Sequence, residues 1–374
     1  MRVVLVSYDF GDYCVRLATG LAALADVQLL VPEQLSAAYA SALDSRVAFH
    51  PFDKPRLRQP LRQLRLAWHL VRRIKAFDPD VVHLQQGHLW FNGFLPLLRA
   101  YPLVLTIHDP RHHLGDKGGR RTPQAVFDFG FRRATQLIVH AAPSKQVIVG
   151  GLGLDADRVH VMPHVSLVDA PKQPPPADDG GAPTVLFFGR LWAYKGLEYL
   201  IRAEPRITAA VPGARIVIAG QGEDFARYRG LMVHHDRFVV YNEYVSDQRR
   251  EALFRQADLV VLPYVEASQS GVVPLAYASM KPVVATTVGG LPEIVEDGRT
   301  GLLIPPRDEG ALADAIIRLL QDKPRCRQMG LAGRHKLDAE CAPAVIARQT
   351  MSVYRRALRL ASPSELRLST PQAG

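Results

Sequence analysis

The chain has little cysteine and no long apolar run. Its three cysteines, Cys14, Cys326 and Cys341, stand far apart. They form neither a metal-ligand spacing nor a disulfide framework, so a reducing, cytoplasmic setting is expected. No stretch approaches the roughly 18 apolar residues of a membrane-spanning helix. The opening Met1-Arg2-Val3-Val4-Leu5-Val6 lacks the longer apolar segment and small-residue cleavage site of a signal peptide, and reads as a buried strand. Low-complexity repeats are absent, and so is any recognition module of the usual nucleic-acid-binding kinds.

What is present is ordinary globular composition with an excess of positive charge. Hydrophobic residues make up 48% and charged residues 22%, which excludes a disordered chain. At 374 residues the chain is too long for one typical core, and two domains are expected. A net charge of +10 and a pI of about 9.6 call for an anionic partner: a phosphate ligand or an anionic membrane face, with nucleic acid not expected.

Apolar runs of strand length alternate with helical patterns along the whole chain. Strands are predicted at Val3 to Ser7, Val27 to Val31, Val81 to Leu84, Leu103 to Thr106, Leu137 to Val139 and Val159 to Val161. A Pro/Gly/Asp-rich stretch from Pro171 to Gly181 marks a linker. A second series follows, with strands at Thr184 to Phe188, Arg215 to Ala219, Phe238 to Tyr241, Leu259 to Leu262, Val283 to Thr286 and Leu302 to Ile304. Helices fit at Val15 to Leu24, Leu197 to Thr208, Ser246 to Arg255, Val272 to Ser279 and Glu309 to Gln321. Such alternation predicts an α/β protein of two parallel, Rossmann-type sheets with a cleft between them and ligands at strand carboxyl ends. The expected division is an acceptor-binding domain at 1–170, a linker at 171–183 and a donor-binding domain at 184–342. A helix at 343–361 is expected to pack back on the first domain, before a flexible tail at 362–374.

Between Lys54 and Lys75 stand eight basic residues and no acidic one. Leu57, Leu61, Leu64, Trp68 and Val71 recur at helical spacing, and Pro60 suits a helix start. One reading packs this apolar stripe on the sheet and leaves the arginines solvated. The other rests the basic surface on anionic lipid, and the two are compatible.

The chemistry concentrates between Gly189 and Gly310. Gly189-Arg190-Leu191-Trp192-Ala193-Tyr194-Lys195-Gly196 places two cations between a strand end and a helix start, where both can bind a diphosphate. Ser270-Gly271-Val272 opens a helix whose backbone N–H groups suit an anion; small residues there also serve close helix packing. Glu266 and Gln269 can accept from or donate to a sugar, or simply face solvent. In the first half His108-Asp109 ends a strand. His88, His140 and His164 sit at similar positions. Pro110-Arg111-His112-His113 matches no strong zinc spacing, and no metal is expected.

These motifs resemble those of the retaining glycosyltransferases of family 4. The residues carrying the resemblance are Phe188-Gly189-Arg190-Leu191 with Lys195-Gly196, Ala257-Asp258-Leu259-Val260-Val261-Leu262-Pro263, and Lys281-Pro282-Val283-Val284-Ala285-Thr286. Gly289-Gly290-Leu291-Pro292-Glu293-Ile294-Val295 and Thr106-Ile107-His108-Asp109 complete the set. The likeness is strongest from Phe187 to Gly310 and extends from Met1 to about Leu360. It implies the GT-B architecture, two facing Rossmann-like domains, and metal-independent transfer of a hexosyl group with retained configuration. The substrate would be a UDP-sugar or GDP-sugar, with no cofactor, and the acceptor a lipid-linked glycan or other cell-surface glycan precursor in polysaccharide biosynthesis. The resemblance places Arg190 and Lys195 on the donor diphosphate. Gly189, Glu266, Gln269, Ser270, Gly271 and Val272 would line the donor site, with His108 near the transferred sugar. Asp9, Gly11, Asp109 and His88 are acceptor-side candidates. The expected location is cytoplasmic, peripheral on the inner membrane face.

The sequence departs from the family pattern in two places. A pair of glutamates is usual near the Ser270 turn, the second holding the ribose. Here Glu266 is followed eight residues on by Pro274. The register shifted by one has Ala267 and Leu275. Gly11 also stands alone where a glycine pair is common. The rival readings are therefore a non-catalytic sugar-nucleotide binder or scaffold, and a GT-B sugar-nucleotide epimerase.

Overall fold

The computed structural model describes residues 1–36, 42–112, 122–167 and 181–361. The linker expected at 171–183, but for residues 181–183, lies outside the described residues, as do the tail at 362–374 and His113. The chain divides into two compact units. Among described residues, unit one comprises 1–112, 122–165 and 341–361, and unit two 166–167 and 181–340.

Unit one runs β1 (Arg2–Val6), α1 (Gly11–Leu21), β2 (Asp26–Pro32), α2 (Glu33–Ser36), β3 (Ala48–Phe52), α3 (Pro60–Phe77) and β4 (Val81–Gln85). It continues with β5 (Leu103–Ile107), α4 (Gln124–Arg133), β6 (Gln136–Val139), α5 (Ala142–Leu152) and β7 (Val159–Val161). Its sheet is parallel with strand order β3-β2-β1-β4-β5-β6-β7. Unit two runs β8 (Thr184–Phe188), α6 (Leu197–Ala210), β9 (Arg215–Ala219), α7 (Ala226–Arg229), β10 (Phe238–Tyr241), α8 (Asp247–Gln256) and β11 (Leu259–Leu262). Then follow α9 (Val272–Ala278), β12 (Val283–Thr286), α10 (Leu291–Ile294), β13 (Gly301–Ile304), α11 (Glu309–Gln321) and α12 (Lys323–Glu340). Its sheet is likewise parallel, ordered β10-β9-β8-β11-β12-β13. The last helix, α13 (Pro343–Ala361), belongs to unit one, where it packs along α1.

Each sheet thus has the doubly wound order, in which the chain starts centrally, moves to one edge and returns to build the other. Helices cover such sheets on both faces, so the strands are continuous apolar runs. Val3 to Val6, Leu259 to Leu262 and Val283 to Ala285 are accordingly buried. Tyr354 of α13 reaches the sheet, its hydroxyl accepting from Nδ1 of His83 on β4 at 2.7 Å.

Three local features differ from the sequence reading. β3 carries Pro51, which a central strand excludes, and it lies at the sheet edge where proline is tolerated. α12, which the sequence reading did not include, runs unbroken through Gly330 and Gly333, and both let the helix approach its neighbours. A Cβ on Gly330 would lie 1.9 Å from the Met280 carbonyl oxygen. In α3, Pro60 does take the first turn, but the face that packs inward is Gln63, Ala67, Leu70, Val71 and Ile74. Of the expected stripe only Val71 is buried. Leu61, Leu64 and Trp68 remain 69%, 41% and 53% exposed.

Gly330→Ala is therefore expected to destabilise unit two. The steric cost of about 1–3 kcal/mol outweighs the roughly 1 kcal/mol gained in helix propensity. A lowered urea midpoint checks it; an unchanged or raised midpoint contradicts the close packing.

Candidate functional site

In unit two, β8 and β11 are neighbours whose following strands lie on opposite sides of them. Loops leaving such a pair diverge and open a crevice at the carboxyl ends. The loop after β8 carries Arg190 and Lys195, and the loop after β11 carries Glu266 to Ser270. Their main chains are joined: the Val265 N–H donates to the Tyr194 carbonyl at 2.8 Å. Gly196, at φ +65°, makes this approach possible, since a Cβ there would lie 1.9 Å from the Pro263 carbonyl oxygen. A Cβ on Gly189 would meet Val272 Cγ2 at 3.7 Å, so the start of the cation loop touches the start of α9.

The side chains converge likewise. Arg190, exposed, donates from Nη2 to the Tyr194 hydroxyl at 2.9 Å. The half-buried Lys195 holds Nζ 3.7 Å from the centre of the Tyr264 ring and 5.0 Å from that of Tyr194. Cation–π contacts of this kind contribute about 0.5–2 kcal/mol. The Tyr264 hydroxyl lies 3.2 Å from Ser270 Oγ, which accepts the Val272 N–H at 3.2 Å. Burial drives the Tyr264 hydroxyl far above its ordinary titration range, so it stays neutral. Gly189, Arg190, Lys195, Ser270, Gly271 and Val272 thus form one continuous patch, with Glu266 and Gln269 half-buried on its second loop.

One detail departs from the sequence expectation: the Val272 N–H already has Ser270 Oγ as acceptor. α9 carries no carboxylate, its two candidate positions being the buried Pro274 and the half-buried Leu275. Beside the patch is a cavity of about 450 Å³ lined by Gly189, Arg190, Trp192, Gly220, Glu243 and Tyr244, among others. The Gly220-Gln221-Gly222 turn after β9, which the sequence reading did not single out, also lines this cavity. Glu243, which accepts from Arg249, brings a carboxylate to this cavity.

In unit one the candidates lie at the carboxyl ends of β1, β4 and β5. Asp9 pairs with Lys54, and Gly11 begins α1. His88 is buried and stacked on Tyr8 at 3.9 Å. Burial, and then Lys54, lower its pKa to about 4 against a smaller opposing effect of Asp9. Gln86, at φ +61°, is a residue that sequence reasoning missed. Its amide donates to the Asp109 carbonyl at 2.9 Å and accepts the His108 N–H at 2.8 Å and the Asp109 N–H at 3.2 Å. Asp109 is half-buried, whereas the His108 ring is 2% exposed and stacked on Phe10 at 3.7 Å. His140 and His164 are buried against it, with ring centres 4.9 and 5.8 Å from that of His108.

Comparison with known proteins assigns both units. Residues 182–322 match the family model for glycosyl transferases group 1, and residues 11–165 that for glycosyltransferase family 4. The alpha-maltose-1-phosphate synthase of Mycolicibacterium smegmatis is 30% identical over 313 residues, covering 74% of this chain and 79% of that protein. Sucrose-phosphate synthase from Thermosynechococcus elongatus superposes with a TM-score of 0.71 at 19% identity, covering 97% of this chain and 100% of that one. The Anabaena protein Alr3699/HepE, solved in complex with UDP-glucose, has a TM-score of 0.70 at 20% identity, covering 95% and 100%.

Proposed function

The chain belongs to glycosyltransferase family 4, and we propose that it moves a sugar from a nucleoside diphosphate to an acceptor hydroxyl with retained anomeric configuration. The observation carrying this reading is the convergence of Arg190, Lys195 and the Ser270 turn on one patch of unit two. Cleaving the sugar–phosphate bond builds charge on the departing diphosphate. Two cations fixed on Tyr194 and Tyr264 meet that charge without having to reorganise. In the retaining step the bond from the anomeric carbon to phosphate oxygen breaks. The acceptor oxygen bonds to that carbon on the same face, and its proton passes to the leaving phosphate. The nucleoside is assigned to the cavity beside Arg190, with Glu243 accepting from ribose hydroxyls in place of the glutamate that α9 lacks. UDP-glucose bound to the Anabaena neighbour makes a uridine donor the first to try. Asp109, Asp9, Gly11 and His88 are assigned to the acceptor side on unit one, with His108 near the transferred sugar.

The acceptor is assigned to the membrane surface as a lipid-linked glycan. No helix among the described residues is long and apolar enough to cross a membrane. α3 nonetheless exposes Leu61, Leu64 and Trp68 beside Arg62, Arg65 and Arg72. A groove of about 650 Å³ adjoins it, lined by Arg2, Trp68, His69, Arg72, Arg73 and Phe77 among others. Exposed apolar residues bordered by arginines suit the interface of an anionic bilayer.

Arg190→Ala and Lys195→Ala are each expected to lower turnover by about 10²- to 10³-fold while leaving the melting temperature near the parent's. Full activity in either folded variant overturns its role. A donor that binds without turnover on any acceptor overturns the enzyme reading in favour of a sugar-nucleotide binder.

On vesicles containing phosphatidylglycerol the full chain is expected to co-float, and L61S/L64S/W68S to remain in the soluble fraction. Equal flotation of both, or none by the parent, contradicts the lipid assignment.

A further inference from the structure

We propose that His108, His140 and His164 hold a divalent first-row transition-metal ion within unit one. The three follow β5, β6 and β7, which are consecutive neighbours in the sheet, so the strand order collects residues that are distant in sequence. One ring nitrogen from each lies within 4.8 Å of the others. All three rings are buried, at 2%, 8% and 7% exposure.

The hydrogen bonds assign the tautomers. His108 donates Nε2–H to Gln85 Oε1 at 2.9 Å, His140 donates Nδ1–H to the Met162 carbonyl at 3.1 Å, and His164 donates Nδ1–H to the Val165 carbonyl at 2.8 Å. A neutral imidazole that donates from one nitrogen keeps a lone pair on the other. The lone pairs therefore stand on His108 Nδ1, His140 Nε2 and His164 Nε2. The first two are buried and have no hydrogen-bond partner among the described residues.

Three lone pairs at a largely buried site, two of them without a partner among the described residues, call for a donor or a Lewis acid. Protonating one ring would place a charge among three buried rings, which burial opposes. Tyr13 packs edge-on against His108 and His164, but its hydroxyl is engaged with Thr106. A single water has two protons for three lone pairs. A metal ion serves all three at once, and imidazole donors select zinc, copper, nickel, cobalt or iron over magnesium and calcium.

The surroundings match what a metal-bound histidine requires, namely an acceptor on its far nitrogen that fixes ring and tautomer. Two of those acceptors are backbone carbonyls. The third, Gln85, is itself oriented: its Nε2 donates to His83 Nε2 at 3.1 Å, which turns Oε1 toward His108. The carboxylates whose charge reaches the rings are Asp109 at His140 and Asp12 at His164. With nitrogen about 2.0–2.1 Å from zinc, bound rings must close in from their present spacing, and an unclaimed fourth position is left for water.

The inference concerns unit one alone; it makes His108 a metal ligand in place of the sugar contact proposed above, and its test reads metal binding rather than turnover. The test titrates the dialysed full chain with Zn(II) and, in parallel, Co(II). One equivalent is expected to bind, with a visible Co(II) spectrum of four- or five-coordinate intensity and a raised melting temperature. His140→Ala and His164→Ala should each lose stoichiometric binding, Gln85→Ala should weaken it about 10- to 100-fold, and His88→Phe should retain it. No stoichiometric binding by the parent chain overturns the proposal, as does parent-like binding by folded His140→Ala. Should the histidine variants fail to fold, the Co(II) spectrum of the parent chain decides alone, an octahedral aquo-type spectrum counting against the site.

Discussion

Two cations held on aromatic rings at the divergence of β8 and β11 are the feature on which the functional account depends. Lys195 lies over Tyr264, and Arg190 is bonded to the Tyr194 hydroxyl. The rings do more than fill space. A lysine on a flexible stem loses rotamer entropy when fixed by its ligand; one already seated on a ring has met part of that cost on folding. The seat exists because Gly196 lets the two loops touch and because Tyr264 is tied to Ser270 at the start of α9. Sheet topology, loop contact and charge placement are thus successive consequences of one strand order.

Unit one uses the same topology for different chemistry. Its strand ends present mainly histidine and aromatic side chains, and burial keeps the rings neutral. Gln85 and Gln86 divide the work there. One orients the His108 ring, and the other, in a left-handed backbone conformation, pins the main chain of His108 and Asp109. α13 contributes from the far end of the chain through the bond between Tyr354 and His83.

Much of this was legible from residue order. Runs of valine, isoleucine and leucine identify β8, β9, β11 and β12 to the residue, because strands buried on both faces have no polar alternation to blur their ends. Arg190 and Lys195 were legible because glycines bracket them. What escaped was set by tertiary neighbours. β3 hides behind Pro51, acceptable only because that strand is at an edge, and α12 hides behind glycines whose purpose is contact with Met280 and Tyr277. The periodicity of α3 pointed to Leu61, Leu64 and Trp68 as part of one apolar face, whereas the helix is turned so that they stay exposed. The His108, His140 and His164 cluster has no local spacing to find, since strand adjacency alone assembles it.

The central claim is that Arg190 and Lys195 recognise the diphosphate itself. Calorimetry comparing UDP with UMP, and GDP with GMP, tests it without an acceptor or turnover. The account predicts that the diphosphate of one pair binds at least about tenfold more tightly than its monophosphate, a difference of about 1.4 kcal/mol. It also predicts that this margin disappears in Arg190→Ala/Lys195→Ala. Equal affinity for mono- and diphosphate, or a margin that survives in the double variant, would contradict it.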